Sequence, residues 1–416
     1  MNGCGVRAET SPDSSSQGRT HGSAAEVFLV FLRLGCTSFG GPIAHLGYFQ
    51  KEIVERRKWC DERTMAEIIA LAQSLPGPAS SQVGFALGIL RAGWRGGLAA
   101  WVGFTLPSAV LMFAFAHGHS FPAGDGGEHF LHGLQLVAVA VVAQAVLTMQ
   151  RSLAPDHVRM TFAMMAAGIV LFGPSAFSML IAIAVGALGG LLLLPSEKVV
   201  EGQPARLHLP KVAGLAAAAA FLAFLVIPPL LGLIAHNRAI DVFSAFYRTG
   251  ALVFGGGHVV LPLLENSVVT RGWVSQPTFL AGYGAAQALP GPLFAIGAYL
   301  GAAIRPSSSP LSYGLLGLVG IFMPGLLAMT AVLPFWNSLR ESAIIRTALK
   351  GINASVVGVL LAALYRPLWT STIHTVSDFG FALLAFMLLT LWKIPPWIVV
   401  VGITAGYVLT YGRPGA

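Results

Sequence analysis

Two short stretches, AQSLPGP at residues 72–78 and AQALPGP at residues 286–292, set Pro-Gly-Pro inside apolar sequence where a helix ought to run. Proline has no backbone N–H and clashes with the preceding turn. A helix broken in this way starts again with free amide groups. Those amides, with roughly half a positive charge of helix dipole behind them, favour an anion. Ser80, Ser81 and Gln82 follow the first break and add side-chain donors, whereas the matching Phe294, Ala295 and Ile296 add none. The candidate binding residues are therefore Pro76, Gly77, Pro78, Ser80 and Ser81 at one break and Pro290, Gly291 and Pro292 at the other. A plainer reading is that such residues only kink or tightly pack a membrane helix. Their duplication at matching positions favours a site.

Other matched residues join them. Gln73 and Gln287 precede the two breaks at the same spacing, either to donate to a ligand or to cap freed carbonyls. Arg33 and Arg248 stand at equivalent places inside apolar segments, where a guanidinium costs about 2.5–3.5 kcal/mol on insertion scales. Its planar fork suits a tetrahedral oxyanion, and snorkelling to the headgroups is the competing role. The paired glycines Gly40 and Gly41, and Gly255 and Gly256, serve either a ligand or close helix packing. Gln135 and Asn353 fit interhelical hydrogen bonds. His45 and His258 are not equivalent in the repeat; either could carry a proton, but a packed histidine is the simpler reading.

These residues need membrane elements to hold them. Of the 416 residues, 55% are hydrophobic and only 10% charged, too few charges to cover a soluble surface. Apolar runs near 20 residues recur along the chain, which marks a polytopic, all-α membrane protein with about 13 hydrophobic segments. The net charge of +8 sits mostly beside apolar spans, so it speaks for topology rather than nucleic acid. Residues 1–25 are polar and lack an apolar signal segment, and a disordered tail is expected there. Cys4, Cys36 and Cys60 show no metal or disulfide spacing. No P-loop, H-E-x-x-H, C-x-x-C or dinucleotide motif appears, so neither an enzyme nor a cofactor is expected.

The chain repeats itself. FLRLGCTSFGG (31–41) matches FYRTGALVFGG (246–256), FTLPSAVLM (104–112) matches IFMPGLLAM (321–329), and HGLQLVAVAVVAQA (132–145) matches KGINASVVGVLLAA (350–363). With the two breaks, that makes four collinear matches at offsets of 214 to 218 residues. The organisation read from them is a tail (1–25), a first repeat (26–194), a linker with an extra transmembrane helix (195–239) and a second repeat (240–411). One extra crossing between like halves inverts the second. Lys and Arg agree: loop 51–63 carries five basic residues, and its partner 265–277 carries only Arg271. Loop 117–130 carries none, and its partner 334–350 carries Arg340, Arg346 and Lys350. Loop 51–63 and the Arg91/Arg95 turn then share the cytoplasmic side, so 64–93 enters and returns, turning at Pro76-Gly77-Pro78. Residues 26–49 form a similar hairpin near Gly40-Gly41-Pro42. Each half reads as two broken, re-entrant hairpins followed by four spans.

FLRLGCTSFGGP, VERRKW, both Leu-Pro-Gly-Pro motifs and FTLP together resemble the chromate ion transporter family in its long, two-domain form. The likeness spans about residues 26–411. It implies secondary export of chromate, with sulfate as an analogue, across a bacterial inner membrane. It also implies site roles for Arg33, Phe39, Gly40, Gly41, Pro42, Gln73, Pro76, Gly77 and Pro78, and for Arg248, Phe254, Gly255, Gly256, Gln287, Pro290, Gly291 and Pro292. Gly257 stands where the first half has Pro42, so the second hairpin tip departs from the first. The expected partners are the oxyanion and the lipid bilayer, with a homodimer left open. Uptake or exchange of sulfate or another oxyanion, or an anion channel, is the alternative.

Overall fold

The computed structural model describes residues 22–118, 125–173, 178–195, 210–235, 237–254, 259–304, 309–336 and 342–411. All regular structure among them is helical. Of the expected tail, residues 1–21 lie outside the described residues, and Ala24 and Ala25 already belong to the first helix.

Helix α1 (Ala24–Thr37) starts where the Ser23 hydroxyl accepts from the Glu26 N–H at 3.0 Å. It stops at Ser38, and Gly40 follows in the left-handed region at φ 98°. Helix α2 (Gly41–Phe49) opens with proline in its first turn, where the missing N–H is no loss, and continues as a wider π stretch over Gln50–Arg56. The pair closes on itself. Glu26 at the base of α1 meets Arg57, just past the π stretch, at 3.9 Å. It meets Arg91 at 3.1 Å. Arg57 and Arg91 both lie over the Trp59 ring.

Helix α3 (Glu62–Ser74), capped by Asp61 accepting from the Thr64 N–H at 2.8 Å, leads to the first break. Leu75 is extended, as a residue before proline must be, and Gly77 turns the chain at φ 118°. Helix α4 (Ala79–Gly118) then runs back as a first limb to Arg91, bends at Ala92–Gly93, and continues as a second limb. Both arms of this hairpin therefore end at the same base, beside Glu26 and Trp59.

The second half repeats the plan with α9 (Arg238–Leu252), α10 (Val260–Val268), α11 (Gln276–Ala288), α12 (Ile296–Ala303) and α13 (Pro310–Val332). Arg238 at the base of α9 and Arg271 past α10 lie over Trp273 at 4.5 and 5.1 Å. Trp273 is the repeat counterpart of Trp59, so this hairpin also starts and ends on one side. Leu289 is extended before Pro290, and Gly291 turns at φ 93°. The Tyr299 hydroxyl of α12 donates back to the Thr278 carbonyl of α11 at 3.0 Å.

The remaining helices interlock the halves. Helix α5 (Asp125–Leu153) packs on α15 (Val376–Thr390) and α16 (Pro396–Tyr411), while α14 (Ala343–Ala363) packs on α6 (His157–Phe172) and α7 (Ser178–Leu193). Each half thus lends its last two helices to the other half's long one. The extra helix α8 (Lys211–Ala235) lies outside, against α9 and α13. Among the described residues, five helices are long and apolar enough to cross a membrane: α4, α5, α8, α13, and α14 with its continuation to Thr372. Five shorter apolar helices of 10–17 residues accompany them, so the expected count of about 13 hydrophobic segments is not confirmed. The chain is an all-α, multi-pass membrane protein.

Candidate functional site

The two breaks dock reciprocally. The Gly77 N–H donates to the Val253 carbonyl at the end of α9, and the Gly291 N–H donates to the Ser38 carbonyl at the end of α1, both at 2.8 Å. Val253 and Ser38 are repeat counterparts, as are Gly77 and Gly291. Each tip also sits against the proline-bearing helix of the opposite half. A Cβ on Gly77 would lie 2.6 Å from the Gly325 Cα, next to Pro324 in α13. A Cβ on Gly291 would lie 3.0 Å from the Ser108 hydroxyl, next to Pro107 in α4. Two junctions result, each built by one half and closed by the tip of the other.

The first junction is polar. Ser38, His45, Ser80, Ser81, Gln82, Thr105 and Ser108 are all buried. The His45 ring, on α2, has its Nδ1 3.3 Å from the Ser80 hydroxyl and stands edge-on to Phe104 at 5.2 Å. The Gln82 amide donates to the Pro76 and Gly325 carbonyls, each at 2.9 Å, and so fastens the first break to α13. Ser38 Oγ, His45 Nε2, Ser81 Oγ, Gln82 Oε1 and Thr105 Oγ1 have no hydrogen-bond partner among the described residues. The counterparts at the second junction are apolar and equally buried: Val253, Val260, Phe294, Ala295, Ile296 and Phe322.

A cavity of about 560 Å³ opens beside the first junction, lined by Arg33, Thr37, Tyr48, Lys51, Glu52 and Arg56 among others. Arg33 is exposed there rather than buried. Partial burial pushes the Glu52 carboxyl up, but hydrogen bonds from Arg57 and Arg56 hold it below its ordinary value. Glu52 therefore stays charged, paired with those two guanidinium groups at 2.8 and 3.2 Å. A smaller cavity of about 270 Å³ lies at Pro262, Glu265, Asn266 and Arg366, away from both junctions.

The structure thus brings together Pro76, Gly77, Pro78, Ser80 and Ser81 with the opposite α9 and α13, and Pro290, Gly291 and Pro292 with α1 and α4. Other expected residues fall elsewhere. Gln73 is exposed, one turn outside the break. Gln287 is half-buried, against the Tyr283 hydroxyl. Arg248 is half-buried with its guanidinium 3.4 Å from the Ser244 hydroxyl, separate from Arg33. Gly40 and Gly41 form the α1–α2 turn, with φ 98° and 77°. Gly255, Gly256, Gly257 and His258 lie outside the described residues. Gln135 donates to the Pro277 carbonyl at 3.2 Å, an interhelical role.

Ser38, Thr105 and Ser108 are junction residues the sequence did not single out, and His45, weighed there as a proton carrier or a packed histidine, joins them. The signal was available: each is polar where its repeat counterpart is Val260, Val253, Phe322 or Gly325. A second buried polar cluster, also unforeseen, ties α5 to α15 and α16. Asp378 accepts from His132 at 3.0 Å, Tyr407 at 3.2 Å, and the His374 and Thr375 amides at 3.1 and 2.9 Å. It is a fully partnered clasp. Among the described residues no cluster of three His, Cys, Asp or Glu side chains could hold a metal ion.

Comparison with known proteins places the chain. The family model described as chromate transporter matches residues 25–192 and 240–408. A chromate transport protein of Pseudomonas aeruginosa is 29% identical, over 81% of this chain and 79% of its own. A probable chromate transport protein of Synechococcus elongatus is 26% identical, over 93% and 95%. One from Cupriavidus metallidurans is 25% identical, over 85% of each chain. No solved structure matches.

Proposed function

The chain belongs to the chromate transporter family, and from that membership and its reciprocal breaks we propose that it exports chromate by alternating access between two inverted halves. The single observation that supports this reading is the matched pair of contacts, Gly77 to Val253 and Gly291 to Ser38. Each contact is one backbone hydrogen bond between halves, joined at the first break by the bond from the Gln82 amide to Gly325, so releasing one break while keeping the other is a small step. That is what a carrier needs, because its substrate must be released to one side at a time. The half-helices that start at Ala79 and Gly41 support an anionic substrate, because a helix start offers free amides and a positive dipole end.

Direction follows from charge. An inside-negative potential favours outward movement by about 2.3 kcal/mol per charge per 100 mV, so a dianion gains about 4.6 kcal/mol. Export then needs no nucleotide. Sulfate, with the same tetrahedral shape, competes at the same site. Flux in proteoliposomes under an imposed potential tests the reading. We expect chromate to leave the negative compartment, sulfate on the far side to accelerate it, and Gly77→Ala or Gly291→Ala to reduce it at least tenfold. Chromate that moves only into the negative compartment overturns export. Conductance without stimulation by sulfate overturns the carrier in favour of a channel.

A further inference from the structure

The reading above leaves open which junction holds the anion. We infer that the oxyanion is seated at the first junction alone, by His45, Ser80 and Ser81 between the starts of α2 and α4, and that the second junction is a dry seal. The inference rests on the proposed oxyanion transport and specifies its site.

Three observations carry it. The first is the chemical asymmetry of two otherwise equivalent places. His45, Ser81 and Thr105 stand where the second half has Val260, Ala295 and Phe322, and all six are buried. The backbone docking is kept on both sides while the polar side chains are kept on one. The second is the set of orphans. His45 Nε2, Ser81 Oγ, Ser38 Oγ and Thr105 Oγ1 are buried without a partner among the described residues, on four separate segments that meet at one junction. Leaving a buried polar group unmade costs about 1–3 kcal/mol each, so such a cluster calls for an ion or ordered water to satisfy it. The third is access. Thr37 and Tyr48 are among the residues that line the cavity of about 560 Å³. Thr37 is the residue before Ser38, and Tyr48 lies one helical turn from His45. Arg33, Lys51 and Arg56 line it together with Glu52 and Glu55, and Glu52 is paired with Arg56 and Arg57. Three cations against two carboxylates leave this wall net positive, and the donors at the junction next to it are neutral.

Neutral donors suit a transported dianion. They match its oxygens with hydrogen bonds, and the dipoles of α2 and α4 add partial positive charge. No fixed cation at the seat has to be parted from it when the anion leaves. Arg33 raises the local concentration and stays in the vestibule.

Mirror-image cysteines test the assignment. In the full-length protein with Cys4, Cys36 and Cys60 replaced by serine, Ser81→Cys and Ala295→Cys are each reacted with a small thiol reagent, with and without sulfate. We expect sulfate to slow labelling at residue 81 at least fivefold and to leave residue 295 unchanged. Calorimetric titration of the otherwise wild-type protein with chromate and sulfate supplies the second measurement. His45→Ala should weaken both about tenfold or more, His45→Gln less, because it keeps a donor, and Val260→Ala should bind like wild type. Equal protection at both cysteines overturns the single seat, as does wild-type affinity in His45→Ala. If the polar cluster holds only ordered water, sulfate protects neither cysteine while the protein still binds it; the seat is then elsewhere. If the wild-type protein binds neither oxyanion, the proposed function falls, and this inference with it.

Discussion

At the scale of single residues, one amide holds the first break in place. Gln82 reaches both Pro76 and Gly325 through the same nitrogen, at 2.9 Å each. It thereby satisfies one carbonyl freed by the broken helix and one in α13 beside Pro324. Gln82→Leu keeps the bulk and removes the donor, stranding two buried acceptors. At about 1–3 kcal/mol for each, we expect a loss of about 2–6 kcal/mol. In thermal unfolding of detergent-solubilised protein this appears as a clear fall in Tm. The mirror change Ile296→Leu, at the apolar counterpart, should cost about 1 kcal/mol or less. An unchanged Tm in Gln82→Leu would mean the two carbonyls find other donors. The sequence made Ser80 and Ser81 legible as possible donors, because they follow a break and differ from Phe294 and Ala295. It hid His45, since a histidine in apolar sequence looks the same whether packed or aimed at a ligand. Only the fold, which brings α2 against the start of α4, distinguishes the two.

At the scale of elements, the decisive feature is that the arms of each hairpin return to their starting side. Repeats, breaks and basic loops were enough to read this, because each is a local property of the chain. The exposure of Gln73 was not legible, for the opposite reason. Its spacing from Pro76 is fixed by sequence, but which face of α3 turns outward depends on what packs against the other. The return itself is testable. Glu26 and Arg57 bracket α1 and α2 and meet at 3.9 Å, with Arg91 at the end of the next hairpin also on Glu26. Cysteines placed singly at 26, 57 and 91 should all react with a membrane-impermeant thiol reagent from one side. That side is expected to be the one where loop 51–63 concentrates its positive charge. A helix crossing fully between 26 and 57 would divide the labels between two sides. The same experiment at 238 and 271, beside Trp273, should label from the opposite face.

At the scale of the molecule, neither half has a complete packing surface of its own. Helix α14 lies on α6 and α7, and α5 lies on α15 and α16, so the long helix of each half is covered by helices of the other. The contact relies on missing side chains. A Cβ on Gly351 would strike the Gly186 carbonyl and lie 2.8 Å from the Gly190 Cα, and its repeat counterpart Gly133 lies against Thr404 at 3.0 Å. In lipid, where the hydrophobic effect gives helices no reason to associate, such backbone-to-backbone packing is a main source of adhesion. Gly351→Val should therefore push α14 off α7, while Gly402→Val, on α16 with nothing near its Cβ position, should be tolerated. The readout is co-purification of two co-expressed pieces, 1–203 and 204–416, with a tag on one. We expect the wild-type pieces to purify together and to transport chromate, because the cut falls in the polar linker and leaves every described helix whole. With Gly351→Val, recovery of the untagged piece should fall several-fold, and with Gly402→Val it should not. Were the pieces to separate freely even without a substitution, the halves would be independent bodies. Their reciprocal breaks would then have no interlocked scaffold to move against.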